Sequence, residues 1–196
     1  FVGSPDRKLK KVPVGGGAPV VLADSAGAAT WGANGTILFA GPGGVFTVSS
    51  DGGPVTHVIG RDSVSGAARF AQPTFLPGEK YALGTVGGAA DPQLAVLRVA
   101  DGVVTLLGVS GFAPRYDGHG HILFGRADGT LYSAPFSLRK RAITGAPVSV
   151  AQGLHLLGTS VHYGVAGDGT LAFVSGGARL RQLVRVDRSG AATLLA

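Results

Sequence analysis

Tyr116-Asp-Gly-His-Gly-His-Ile122-Leu-Phe124 places a large side chain six positions ahead of an apolar triplet, across a turn rich in Asp and Gly. The phrase returns as Trp31-Gly-Ala-Asn-Gly-Thr-Ile37-Leu-Phe39, Phe75-Leu-Pro-Gly-Glu-Lys-Tyr81-Ala-Leu83 and Val165-Ala-Gly-Asp-Gly-Thr-Leu171-Ala-Phe173. Successive copies start 44, 41 and 49 residues apart. A strand, a tight turn and a second, buried strand produce this pattern, and chance does not hold the offset four times.

A second phrase follows three of the triplets: Val45 to Val48 before Asp51-Gly52, Leu94 to Val99 before Asp101-Gly102, and Gln182 to Val186 before Asp187 and Gly190. Each reads as a strand closed by a hairpin. Asp-Gly and Gly-Gly supply the positive φ that two-residue hairpin turns demand, so these aspartates are expected first as turn residues. Another short β-rich run comes next, at Pro54 to Ile59, Val103 to Leu107 and Ala191 to Leu195. The third repeat differs, with Leu131 to Phe136, a longer basic loop, then Pro147 to Val150.

Four short strands per repeat, in fixed order and without a sustained 3.6-residue apolar period, predict an all-β β-propeller of four-stranded antiparallel blades. The expected division is one propeller segment over 1–196: a partial blade at 1–22 and full blades at 26–60, 69–108, 111–153 and 158–196. The partial blade holds only the later strands, with Phe1-Val2 ending an earlier one. Its open edge calls for flanking sequence or a neighbouring chain.

Composition fits this reading. The 196 residues are 45% hydrophobic and 14% charged, which suits a folded chain with a sizeable core, and the 34 glycines punctuate short apolar runs without collagen spacing. No apolar run approaches the roughly 18 to 20 residues that span a bilayer, and no signal segment opens the chain. With no Cys there is neither a disulfide framework nor thiolate chemistry, and the redox compartment is left open. With no Met, a chain beginning at Phe1 is expected to be a processed product or part of something longer. Seventeen Lys and Arg against eleven Asp and Glu give +6, favouring acidic partners such as anionic glycans, lipid headgroups or nucleic acid. The cations cluster at Arg7 to Lys11, Arg139 to Arg141 and Arg179 to Arg188 and are not interleaved with aromatics, so nucleic acid is not expected.

In order along the chain, Leu9-Lys-Lys-Val-Pro-Val-Gly-Gly-Gly-Ala-Pro19, Gln72-Pro-Thr-Phe-Leu-Pro-Gly78, Gly129-Thr-Leu-Tyr-Ser-Ala-Pro-Phe136, Thr144-Gly-Ala-Pro-Val-Ser-Val150 and Leu183-Val-Arg-Val-Asp-Arg-Ser-Gly190 join Trp31 to Phe39 in a recognisable series. The chain thereby resembles the bacterial WD40-like, TolB-type propellers found beside Ser/Thr protein kinase domains. The resemblance implies a propeller commonly of six blades, used for binding, sensing or assembly outside the cytoplasm, periplasmic or extracellular. It implies no catalytic residues, and no enzyme is expected. The turns Pro77-Gly-Glu79 and Asp117-Gly-His-Gly120 depart from the common Pro-Asp-Gly.

Chemistry finds little foothold. There is no Gly-x-Ser-x-Gly elbow, since Gly108-Val-Ser110-Gly111 is one residue short, and Gly41 to Gly44 and Gly15 to Gly17 lack the Lys and helix of a phosphate loop. His119 and His121 would share a face of an extended strand, with Asp117, His155 and His162 as conceivable partners, but a turn histidine followed by a strand histidine is the simpler account and no metal is assigned. Five of the ten Asp precede Gly, and the single Glu79 also falls in a turn. Asn34-Gly-Thr36 is a glycosylation sequon and equally a hairpin turn, the reading preferred. No cofactor is implied.

The binding candidates are Thr30, Gln72, Thr74, Arg115 and His162, polar residues of the first strands, which face the central channel of a propeller. Thr30, Thr74 and Arg115 share one repeat position, just before Trp31, Phe75 and Tyr116. The expected function is binding of protein, peptide or anionic glycan through loops and channel. The alternative is a structural subunit whose partial blade is completed by a neighbouring chain, giving self-association.

Overall fold

Apolar triplets flanked by Gly-rich turns cannot bury themselves as lone hairpins, so they are expected to gather into sheets. A computed structural model of the chain, described for residues 1–3, 6–60, 69–88, 91–157, 160–176, 183–187 and 190–194, shows this: every regular element is a strand. Of the sequence expectations, Arg179, Arg181, Gln182, Arg188 and Leu195 lie outside the described residues.

In chain order, β1 (Leu9–Lys11) pairs with β2 (Val20–Ala23). A four-stranded antiparallel sheet follows from β3 (Ala29–Trp31), β4 (Thr36–Gly41), β5 (Gly44–Ser49) and β6 (Thr56–Gly60). The next comprises β7 (Phe70–Phe75), β8 (Tyr81–Val86), β9 (Gln93–Arg98) and β10 (Val104–Ser110). The third contains β11 (Phe112–Tyr116), β12 (His121–Gly125) and β13 (Leu131–Ser137), and here β14 (Ala142–Ile143) and β15 (Val148–Ala151) both pair with β13. The short β16 (Leu156–Leu157) and β17 (Ser160–Val161) pair with each other. Last come β18 (Tyr163–Val165), β19 (Leu171–Val174), β20 (Leu183–Val186) and β21 (Ala192–Leu194), again in simple order. An all-β chain of successive four-stranded meanders is a β-propeller fold.

The chain divides into two compact units, residues 1–88 with 95–105 and residues 89–94 with 106–196. In the first, Leu38, Val45, Phe70, Ala82, Val86 and Leu97 form one buried cluster, while Leu9, Leu22, Ile37, Phe39 and Val48 form another. In the second, Phe112, Leu123, Leu131, Leu154, Tyr163, Leu171 and Phe173 pack together. Alternation along β4 sends Ile37 and Phe39 to one cluster and Leu38 to the other, so a single strand serves two cores. Each such fully buried Leu or Phe stabilises by about 1.5–3 kcal/mol.

Two turn expectations are corrected. The expected two-residue turns are longer: Asp51-Gly52 lies in the connection Ser50 to Val55, Asp101-Gly102 in a four-residue loop closed by Arg98 N–H on the Val103 carbonyl, and Asn34-Gly, Asp128-Gly and Asp168-Gly in three-residue loops. Gly32 N–H donates to the Thr36 carbonyl across Ala33 to Gly35, and the same closure joins Arg126 to Thr130 and Ala166 to Thr170. The Gly at the third loop position alone takes the left-handed conformation, with φ of 82°, 75° and 84° at Gly35, Gly129 and Gly169. The Asx before it accepts from the N–H two residues on: Asn34 from Thr36, Asp128 from Thr130, Asp168 from Thr170. A side chain that caps the strand start in this way favours the type I turn with a following αL residue. At Asp168 these bonds, led by that from Thr170 N–H, hold the carboxyl below its ordinary pKa.

The second correction concerns register. Although Phe75 precedes Tyr81 by the same six residues as in the other copies, Leu76 N–H closes on the Tyr81 carbonyl and Phe75 pairs with Ala82. The loop is therefore one residue longer, Pro77 to Lys80, and Ala82, Leu83 and Gly84 stand where Ile37, Leu38 and Phe39 stand in β4. The extra turn carries Glu79, held at φ 59°.

Gly84 thus occupies the place of a phenylalanine, and the ring comes from the partner strand instead. A Cβ on Gly84 would lie 2.3 Å from Phe70 Cζ. In the second unit the exchange is reversed: Phe124 is on the second strand, and a Cβ on Gly111, the residue corresponding to Phe70, would lie 2.4 Å from the Phe124 ring. One ring fills each site, from whichever strand supplies it.

Candidate functional site

The first strands β3, β7 and β11 carry Thr30, Gln72, Thr74 and Arg115 as expected, whereas His162 stands between β17 and β18 and not on a first strand. Thr30, Thr74 and Arg115 sit opposite Leu38, Leu83 and Leu123, one register position in three sheets. The leucines are buried, Arg115 is exposed, and the threonines are half-buried. In the first unit Thr30 Oγ1 accepts from Phe75 N–H at 3.4 Å, tying β3 to β7.

Both β7 and β11 bulge just before this position. Gln72 and Pro73 together oppose Gly84, and Ala113 and Pro114 together oppose Phe124. Gln72 and Ala113 each take φ 53°, rare for residues with a Cβ. Such backbone costs of order 1 kcal/mol and re-aims the side chain. The Gln72 amide oxygen consequently meets Thr85 Oγ1, which donates to it at 3.1 Å.

In the second unit Tyr163 occupies the place that Pro73 and Pro114 hold in β7 and β11. It is buried, and its hydroxyl lies 2.5 Å from the Ala113 carbonyl oxygen, on the bulge, and 2.8 Å from that of Leu123. Burial pushes its pKa far above the ordinary value, opposed weakly by the Arg115 charge. The Arg115 guanidinium lies 5.6 Å from the Tyr163 ring centre, within cation–π range. His162, next along the chain, is exposed and stacks on His155 with ring centres 6.1 Å apart, while its carbonyl accepts from Val174 N–H. Arg115 and His162 are thus exposed donors on backbone fixed by a buried tyrosine.

The remaining polar candidates are used in turns. His119 Nε2 meets the Gly167 carbonyl at 2.6 Å, and His121 Nδ1 lies 3.3 Å from Asp117. Among the described residues no group of three His, Cys, Asp or Glu could hold a metal ion. Glu79 reaches from its turn to the β3–β4 hairpin, where its carboxylate accepts from Ala33 and Asn34 N–H. The first unit also contains a cavity of about 330 Å³ lined by Phe1, Val2, Lys10, Thr30 and the exposed Trp31. Sequence reasoning missed Tyr163 and the Glu79 clamp, and had named His155 only as a conceivable metal partner. Its available signal was slight: a lone polar aromatic in an apolar run, and a turn without the usual Asp-Gly.

No protein-family model matches the chain, and no curated protein matches its sequence. Solved structures do. Regucalcin of Agrobacterium tumefaciens, a calcium-binding protein, superposes with a TM-score of 0.70 at 17% identity over 96% of this chain and 66% of that one. TolB of Acinetobacter baumannii gives 0.71 at 16% identity, over 97% and 49%. An oligogalacturonate lyase in complex with manganese gives 0.62 at 12% identity, over 96% and 58%. The chain therefore spans about half to two thirds of the length of these structures. They share its β-propeller fold, including the TolB type that the sequence resembled, and at these identities they show the fold alone.

The third likeness corrects an expectation. Absence of catalysis was inferred from fold resemblance, but a lyase carries the same fold, so the fold gives no ground for excluding an enzyme. No helix among the described residues is long and apolar enough to cross a membrane.

Proposed function

We propose that the chain is a binding propeller that recognises a protein or peptide, with anionic glycan as a further candidate, through the polar residues on and beside its first strands. The observation that carries this reading is the second-unit cluster, where exposed Arg115 and His162 are held by buried Tyr163 and by His155. A guanidinium and an imidazole fixed before the ligand arrives lose little freedom on binding and offer several donors to a carboxylate. In the first unit Thr30, Gln72 and Thr74 supply the corresponding polar positions. A setting outside the cytoplasm follows the family resemblance.

The test uses immobilised acidic peptides and oligogalacturonate as probes. Wild-type protein is expected to bind one of them, and Arg115→Gln with His162→Gln is expected to weaken binding at least about 25-fold, from two lost charge-assisted bonds. No binding to either probe, or unchanged affinity of the double variant, overturns the reading. A second reading, strand completion between copies, is favoured by the β1–β2 pair having two strands and one bridge, Val2 with Leu9, where β3–β6 has four. Light scattering that shows only monomer at every concentration excludes it.

A further inference from the structure

One connection breaks the repeat. The third and fourth strands are joined by short turns at Ser50 to Val55 and Val99 to Val103, but β13 runs on to Ser137 and residues 138–147 intervene before β15. The arm is firmly built. Phe136 pairs with Ile143 and Ser137 with Ala142, the Phe136 ring is buried against Tyr116 at 6.3 Å, and Thr144 N–H donates to the Pro135 carbonyl. At its tip Arg141 N–H donates to the Ser137 carbonyl at 2.7 Å, and Lys140 N–H to Ser137 Oγ at 3.2 Å. The backbone of the tip is therefore set by its own bonds. Insertions of this kind in repeat proteins collect on loops that bind.

The tip sequence is Leu138-Arg139-Lys140-Arg141, and all four side chains are exposed, Leu138 by 39%. In the other basic run, by contrast, Lys8 is paired with Asp24, Lys10 with Asp6 and Lys11 with Asp51, as Arg98 is with Asp101. Arg139 and Lys140 make no ion pair among the described residues. We propose that the Leu138 to Arg141 tip docks on an anionic lipid bilayer. Adjacent cations attract headgroup phosphates, and the interface beneath accepts the leucine, to which a soluble polyanion offers nothing. The proposal is independent of the Arg115 and His162 reading.

The test is cosedimentation of the full chain with vesicles of phosphatidylcholine containing about one third phosphatidylglycerol, against phosphatidylcholine alone. Binding is expected only to the mixed vesicles, and is expected to vanish in 1 M salt, where the screening length falls to about 3 Å. Arg139→Ser with Lys140→Ser should weaken partition about 25-fold, as about fivefold per cation. Leu138→Ser should weaken it at least about threefold with the salt dependence retained. Should the double variant fail to fold, Lys140→Gln alone keeps the test decisive at about fivefold. Failure of the wild type to sediment with the mixed vesicles overturns the proposal. So does Leu138→Ser partitioning like wild type, the result expected of a site for soluble polyanions or acidic proteins.

Discussion

Replacing Gly84 by alanine would put a methyl carbon 2.3 Å from Phe70 Cζ, 2.4 Å from Cε1 and 2.9 Å from the Ala71 carbonyl oxygen. Carbon atoms in contact prefer about 3.5–4.0 Å, so the ring must retreat by more than 1 Å or the strands must part. Phe70 is buried to 3% exposure in the cluster with Leu38, Val45 and Ala82, which leaves the ring little room. Overpacking of this size costs about 1–3 kcal/mol, and about 2 is expected here. Phe70→Leu removes the ring edge and alone costs about 1 kcal/mol in lost burial. If the clash is with the ring, combining the two substitutions relieves it. The pair should then fall short of additivity by about 1–2 kcal/mol, what persists being the approach to Ala71 oxygen.

Urea unfolding followed by Trp31 fluorescence and circular dichroism measures the cycle. With a denaturant slope near 2 kcal/mol per molar, Gly84→Ala lowers the midpoint by about 1 M, and the double variant lies within about 0.5 M of Phe70→Leu. A midpoint for Gly84→Ala equal to wild type, or strict additivity in the double variant, refutes the exchange of glycine and ring described for this sheet. The reverse arrangement in the second unit makes Gly111→Ala with Phe124→Leu a parallel cycle of the same sign.

Tyr163→Phe removes a buried hydroxyl whose single proton goes to the Ala113 or the Leu123 carbonyl, and is expected to cost about 1–2 kcal/mol at neutral pH. Because burial raises the Tyr163 pKa, the wild type holds its full stability below the ordinary tyrosine value near 10 and loses about 1.4 kcal/mol per pH unit as pH rises beyond it. The substituted protein lacks that slope, so the gap closes at high pH, and parallel alkaline curves would contradict the assignment. Glu79→Ala should destabilise by about 1–2 kcal/mol and speed amide exchange at Ala33 and Asn34. Glu79→Gly, which relieves the φ of 59°, should be milder than alanine by about 1 kcal/mol, and equal effects would deny that strain.

What the sequence made legible was what recurs. The apolar triplets are second strands, and the paired positions of Thr30, Thr74 and Arg115 follow from one offset counted back from them. Illegible features were those in which the chain keeps its count while geometry changes. Phe75 to Tyr81 has the same length as Trp31 to Ile37, yet closes a longer loop, because Pro77 fixes φ and no Asx-Gly pair is present to set the shorter one. The bulges at Gln72 and Ala113 are invisible for a similar reason: an extra residue on one strand is offset by none on the other, and a residue before proline is ordinarily read as extended. Tyr163 was missed because its partners are backbone carbonyls 40 and 50 residues away.

Those departures bear on function more than the repeats do. Leu38, Leu83 and Leu123 are held by their cores, and replacing one would open a cavity. Of the residues that face them across the ladder, Thr30 and Thr74 are half-buried and Thr30 is bonded to Phe75, whereas Arg115 is exposed, so size and charge can change at its position at little cost in stability. A calcium-binding protein and a lyase share this fold, so function is carried by sites and not by the strands. In this chain the departures fall most heavily in the second unit, where a charged arginine replaces threonine, a buried tyrosine replaces proline and an arm with three basic residues at its tip interrupts the repeat. Polar groups held in place against the local repeat require support to stay there, and Tyr163 supplies it for the strand carrying Arg115, just as the Phe136–Ile143 pairing does for the Arg139 tip.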